Sequence, residues 1–165
     1  MGTEAYVRCY REIVEQEQSL GVYFDYIFHA SGTGTTQAGL ICGQLLAGDT
    51  HRKIVGISIA RKNPRGRNIV LESVRSYLGP VTDESAIQVA TIFTDRYTSG
   101  YGHSDAGVRE TIDDSLKHHG LPLDVTYTGK AFWGMKEWLR ELDIRDKNVL
   151  FLHTGGTPLF FDSLR

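Results

Sequence analysis

Apolar positions recur at helical spacing near the start of the chain. In EAYVRCYREIVEQEQS, residues 4–19, Tyr6, Val7, Tyr10, Ile13 and Val14 share one side and the charges take the other, which predicts an amphipathic helix. VYFDYIFHA is a short β-branched and aromatic run and reads as a buried strand. It leads into HASGTGTTQAGLICG, residues 29–43, where a helix is predicted to start near Gly34 and to stop at Gly48. HRKIVGISIAR gives a second buried strand over 53–60, followed by a helix from Pro64 to Gly79. The middle mixes an alternating run, 87–93, with a loop rich in Gly and Tyr. SDAGVRETIDDSLKHHG predicts a helix capped by Ser104 and stopped by Gly120. A short extended piece then enters a helix whose Phe132, Met135, Trp138 and Leu139 face the core. NVLFLHTGG closes the pattern with an apolar strand over 149–153.

Continuous apolar strands alternating with helices define an α/β fold, a parallel sheet flanked by helices on both faces. With 165 residues, 41% of them hydrophobic, the chain suits one domain, 1–165, and shows no internal repeat or linker. A net charge of −2 and scattered Lys and Arg argue against nucleic acid. Cys9 and Cys42 lack any ligand spacing and read as free thiols of a reducing compartment. No signal peptide is evident, and no apolar run approaches the ~20 residues a bilayer demands, so a soluble, cytoplasmic protein without membrane partners is expected.

The 29–43 stretch carries the chemistry. Its glycines and hydroxyls allow three readings: a linker, a structural turn, or a cradle for phosphate at the positive end of a helix beyond a strand. There is no Walker lysine and no GxGxxG, which weakens nucleotide readings. TYTG at 126–129, HTGG at 153–156 and YTSGYG at 97–102 could converge on the same edge of the sheet. His29 and His153 are thin support for a metal, having no third ligand at a suitable spacing, and none is expected. His118, His119, Asp113 and Asp114 read as a solvated helix surface.

Taken together, SGTGTTQAGL, SGYG, DVTYTGKAFWGM and VLFLHTGGTPLF resemble the D-cysteine desulfhydrase and 1-aminocyclopropane-1-carboxylate deaminase family, over nearly the whole chain. The resemblance implies a tryptophan synthase β-like fold (fold type II) and pyridoxal 5′-phosphate as cofactor. It places the phosphate loop at Thr33, Gly34, Thr35 and Thr36, and Tyr101 and Tyr127 beside cofactor and substrate as catalytic candidates. Thr128 and Thr154 would border the cofactor. Thr128 stands where deaminases proper carry Glu, and Thr154 where they carry an apolar residue. This pair favours β-elimination from a small D-amino acid, giving pyruvate, ammonia and sulfide, over cyclopropane ring opening.

The family is roughly twice this long, and its Schiff-base lysine lies in an amino-terminal part with no counterpart here. None of Lys53, Lys62, Lys117, Lys130, Lys136 and Lys147 resembles it in context, so the chain is expected to be inactive alone. The resemblance therefore implies the carboxyl-terminal portion of such an enzyme, self-associating or completed by a partner chain. A non-catalytic module binding some other phosphate ligand, a subunit of a split enzyme and an assembly remnant remain as alternatives.

Overall fold

The computed structural model describes residues 2–80 and 83–162. Four parallel strands, β1 (Tyr26–Ser31), β2 (Lys53–Ser58), β3 (Ile92–Thr94) and β4 (Val149–Leu152), form one sheet in the order β3-β2-β1-β4. Helices α1 (Gly2–Leu20), α2 (Thr35–Leu46), α3 (Arg65–Leu78) and α4 (Glu84–Ala90) precede β3. Helices α5 (Ala106–His119) and α6 (Thr128–Glu141) precede β4, and α7 (Thr157–Asp162) follows it.

Alternation along the strands sorts the core into two faces. Ile27 and Ile54 pack with Val7, Tyr10, Ile41 and Val70 of α1, α2 and α3. Phe28, Val55 and Ile57 point the other way, against Ala131 and Met135 of α6, with Phe132, Trp138 and Leu139 partly buried beside them. A third cluster joins Val108 and Ile112 of α5 to Leu123 and Phe160. The helices thus cover both faces, as the apolar strands require.

Several predicted bounds shift for local reasons. The strand expected from Val22 begins at Tyr26, because the Phe24 amide donates to Glu17 Oε1 (2.6 Å). β2 ends at Ser58, whose hydroxyl accepts from the Ala60 amide and donates to the Arg61 carbonyl, turning the chain. The alternating run over 87–93 is not one strand. Its first part belongs to α4, which the Asp83 side chain starts by accepting from the Ser85 amide, and only Ile92 onward enters the sheet. Asp105, not Ser104, occupies the N-cap of α5, and Ser104 Oγ accepts from Arg109 instead. The piece before α6 enters no sheet, and its last three residues, 125–127, form a turn. Cys9 and Cys42 are free thiols in α1 and α2. Among the described residues no helix is long and apolar enough to cross a membrane.

At the amino-terminal end of the sheet, Arg52 donates to both oxygens of Glu17 (2.9 and 2.7 Å), and both side chains are buried. The guanidinium also lies over the rings of Tyr10 and Tyr23, and Asp49 accepts from the Tyr10 hydroxyl. This cluster ties α1 to the entrance of β2 and leaves the opposite end of the sheet free for a ligand.

Candidate functional site

Strand order reverses at β1, with β2 and β3 on one side and β4 on the other. Open parallel sheets bind ligands beyond the carboxyl ends of the strands at such a switch point. A cavity of about 720 Å³ lies there, walled by the segments that follow β1, β2 and β4. That volume suits a cofactor-sized ligand.

Its first wall is the loop after β1. Gly34, at φ 89°, turns the chain into α2, and no side chain caps the helix. The amides of the first turn and the positive end of the helix dipole are therefore left for an anion. Thr33 lines the cavity, with its hydroxyl 3.2 Å from that of Thr35. Thr35 and Thr36, the first two residues of α2, are half-buried and do not line the cavity wall.

The second wall follows β2 and carries Ile59, Ala60, Arg61 and Arg65. The Arg61 guanidinium donates to the Gly32 carbonyl and so braces the first loop. Residues 61–67, RKNPRGR, hold four cations, so the positive charge is locally bunched rather than scattered. Among the described residues no carboxylate lines the cavity. The donor set suits an anionic group.

Tyr101 and Tyr127 form a third side, their hydroxyls 2.6 Å apart and their rings edge to face. The hydrogen bond to Tyr101 raises the pKa of Tyr127, with a smaller contribution from burial. Asp124, fully buried, positions this corner. Its carboxylate accepts from the amides of Thr126, Tyr127 and Thr128 (2.8, 2.7 and 2.9 Å) and from the Thr128 hydroxyl (2.7 Å). Thr128 is thus turned toward Asp124 and is not part of the cavity wall.

Thr154, Gly155 and Gly156 complete the enclosure after β4. A Cβ on Gly156 would lie 2.1 Å from Asp124 Oδ2, so only glycine lets this loop seat against the carboxylate. His153 lies 3.1 Å from the Pro122 carbonyl through Nε2. His29 is buried on β1, and burial lowers its pKa to about 4.

The structure therefore gathers Thr33, Tyr101, Tyr127 and Thr154 around one cavity, with Gly34, Thr35 and Thr36 at the adjoining helix start. Sequence reasoning missed Arg61, Arg65 and Asp124. A charge count in short windows exposes the arginines, and an Asp followed by TYT is an Asx-type turn signal.

Among the described residues no lysine lines the cavity. Lys130 is buried, and its ammonium donates to the carbonyls of Ile59 (3.3 Å) and Gly100 (2.5 Å). Burial lowers its pKa, against the pull of Asp105 and Asp124. It fastens the 59 and 100 segments together. Lys62 is held by the carbonyls of Asp95 and Thr98.

Comparison with known proteins defines the class. The family model described as pyridoxal-phosphate dependent enzyme matches residues 1–155, and the chain belongs to that family. D-cysteine desulfhydrase of Serratia proteamaculans is 31% identical over 98% of this chain and 48% of its own length. A protein of Pyrococcus abyssi provisionally named 1-aminocyclopropane-1-carboxylate deaminase is also 31% identical, with the same coverage of 98% and 48%. The crystal structure of an ACC deaminase homologue superposes with a TM-score of 0.79 at 30% identity, covering 98% of this chain and 49% of that one. A threonine deaminase shares the fold, with a TM-score of 0.57 at 14% identity over 92% of this chain and 55% of that one. The fold is thus that of the fold type II enzymes, and the chain spans about half the length of the curated relatives it matches.

Proposed function

We propose that this chain is the pyridoxal-phosphate-holding portion of a D-cysteine desulfhydrase-like lyase. The single observation that carries the reading is the uncapped α2 terminus behind Gly34, opening on a cavity lined by two arginines and, among the described residues, by no carboxylate. The residues fit the cofactor's phosphate: Thr33, Gly34, Thr35 and Thr36 would hold it by backbone amides and hydroxyls. When bound, the cofactor supplies an electron sink for the charge left at Cα. Tyr101 and Tyr127 would bind the substrate carboxylate or hold a proton at a phenolic oxygen, since their hydroxyls already share one hydrogen bond.

The relatives bear both activity names, so the choice of desulfhydrase over deaminase rests on Thr128 and Thr154. Thr128 commits its hydroxyl to Asp124 and offers no carboxylate to a pyridine nitrogen. This supports simple β-elimination from a small D-amino acid. The amine that would anchor the cofactor covalently is proposed to come from other polypeptide, on a partner or as part of a larger assembly. The half-burial of all four residues of β4, VLFL, at the sheet edge supports more chain packing there.

Fluorescence titration with pyridoxal phosphate tests the reading. Replacing Thr35 and Thr36 together by Ala should weaken binding about tenfold. Unchanged affinity would remove the phosphate-loop assignment and leave a module for some other ligand.

A further inference from the structure

We infer that Arg65 is a phosphate-binding residue of this site, closing on the same anion that the 33–36 loop cradles. The inference rests on the phosphate reading of that loop and extends it to a residue on a different element.

The cations of residues 61–67 divide cleanly by what they touch. Arg61 is engaged by the Gly32 carbonyl, and Lys62 by the carbonyls of Asp95 and Thr98. Arg67 donates to Thr91 and Gln88. Arg65 makes no hydrogen bond or ion pair within the described residues, yet it lines the cavity. It is also the first residue of α3, whose first turn holds no acidic side chain and whose Pro64 provides no side-chain cap. A cation at the positive end of a helix is unfavourable unless an anion sits beside it.

The position of α3 brings Arg65 to the loop that would hold such an anion. A Cβ on Gly34 would lie 3.1 Å from Ile69 and 3.3 Å from Val70, so the turn that opens α2 is packed on α3. Arg65 stands four residues before Ile69, about 6 Å along the helix axis at 1.5 Å per residue. A guanidinium has the reach to span that distance and the fork to pair with two phosphate oxygens. The loop and Arg65 then hold one group from two sides, by neutral donors and by charge.

Direct titration of Arg65→Gln and Arg65→Lys with pyridoxal phosphate, pyridoxal and inorganic phosphate tests this. Arg65→Gln should weaken both phosphorylated ligands about tenfold, leave pyridoxal unchanged and flatten the salt dependence of binding. Arg65→Lys should recover part of the loss. If Arg65→Gln binds pyridoxal phosphate as the parent does while the Thr35 and Thr36 double variant does not, the loop reading stands and the role of Arg65 falls. An equal loss of pyridoxal binding also overturns it. If the parent chain itself fails to prefer pyridoxal phosphate to pyridoxal, the loop reading falls and takes Arg65 with it. A fall in ligand-free melting temperature in both Arg65 variants would make the residue structural and contradict the inference.

Discussion

The hydroxyls of Tyr101 and Tyr127 meet 2.6 Å apart at the cavity, joining a loop residue to the residue that opens α6. One of them donates and the other accepts, so the accepting hydroxyl keeps its own proton free for whatever enters. The bond favours the neutral form of Tyr127 and raises its pKa. Tyr101→Phe should therefore let Tyr127 ionise at lower pH than in the parent. An ultraviolet titration of phenolate absorbance checks the shift. An unmoved curve would mean that the two rings are not paired in solution.

Asp124 carries that corner, accepting four hydrogen bonds through two buried oxygens. Asp124→Ala leaves three amides and a hydroxyl without their acceptor and should destabilise the fold by about 3 kcal/mol. Denaturant unfolding measures this, and pyridoxal phosphate affinity should fall with it because Tyr127 loses its support.

Gly156 is the complement of Asp124. Its φ of 92° and the 2.1 Å approach of an added Cβ to the carboxylate make alanine costly. Gly156→Ala should lose about 1–3 kcal/mol of stability. Gly21, with positive φ but nothing within 4 Å of an added Cβ, is the control, and its Ala variant should lose less.

His29 gives the protein a pH dependence whose sign is set by burial. Its folded pKa, about 4, lies below the ordinary value of 6.5, so the unfolded chain binds the extra proton between those values. Stability contributed by the neutral ring is intact above pH 6.5 and declines as pH falls toward 4. The full loss is about 3 kcal/mol. Urea unfolding of the parent and of His29→Asn at a series of pH values separates this contribution. The variant should show a flatter dependence, and parallel curves would contradict the assignment.

The buried pair of Glu17 and Arg52 predicts a nonadditive pattern. Glu17→Gln alone leaves the buried guanidinium with Asp49 as its remaining charged partner (3.3 Å) and should cost about 3 kcal/mol. Replacing both residues by apolar ones should cost less than the sum of the single changes, as a double-mutant cycle would show.

The apolar stripe of α1 and the continuous apolar runs of β2 and β4 made these elements legible, β2 being buried on both faces and β4 half-buried along its length. Periodicity failed at α4, a seven-residue helix with one buried residue, Ile87, where the run of Ile87, Val89, Thr91 and Phe93 imitates strand alternation. Thr157–Asp162 is too short to show a period at all, so α7 went unseen. The glycine and hydroxyl loops stood out by composition, and the topology brings them to one edge. Asp124 was hidden in LPLDV because a capping carboxylate has no periodicity, only local partners. Arg65 was hidden by a charge count taken over the whole chain, and its surroundings were visible only once α3 was placed against Gly34.

On the proposed function, this chain holds pyridoxal phosphate through its phosphate while the anchoring amine lies elsewhere. Saturating the chain with the cofactor, reducing with borohydride and locating any adduct by peptide mass spectrometry tests that most directly. Saturable binding that competes with inorganic phosphate is expected, with no stoichiometric adduct on any one of the six lysines. A single lysine carrying one equivalent of reduced cofactor would contradict the proposal and make the chain a self-sufficient site.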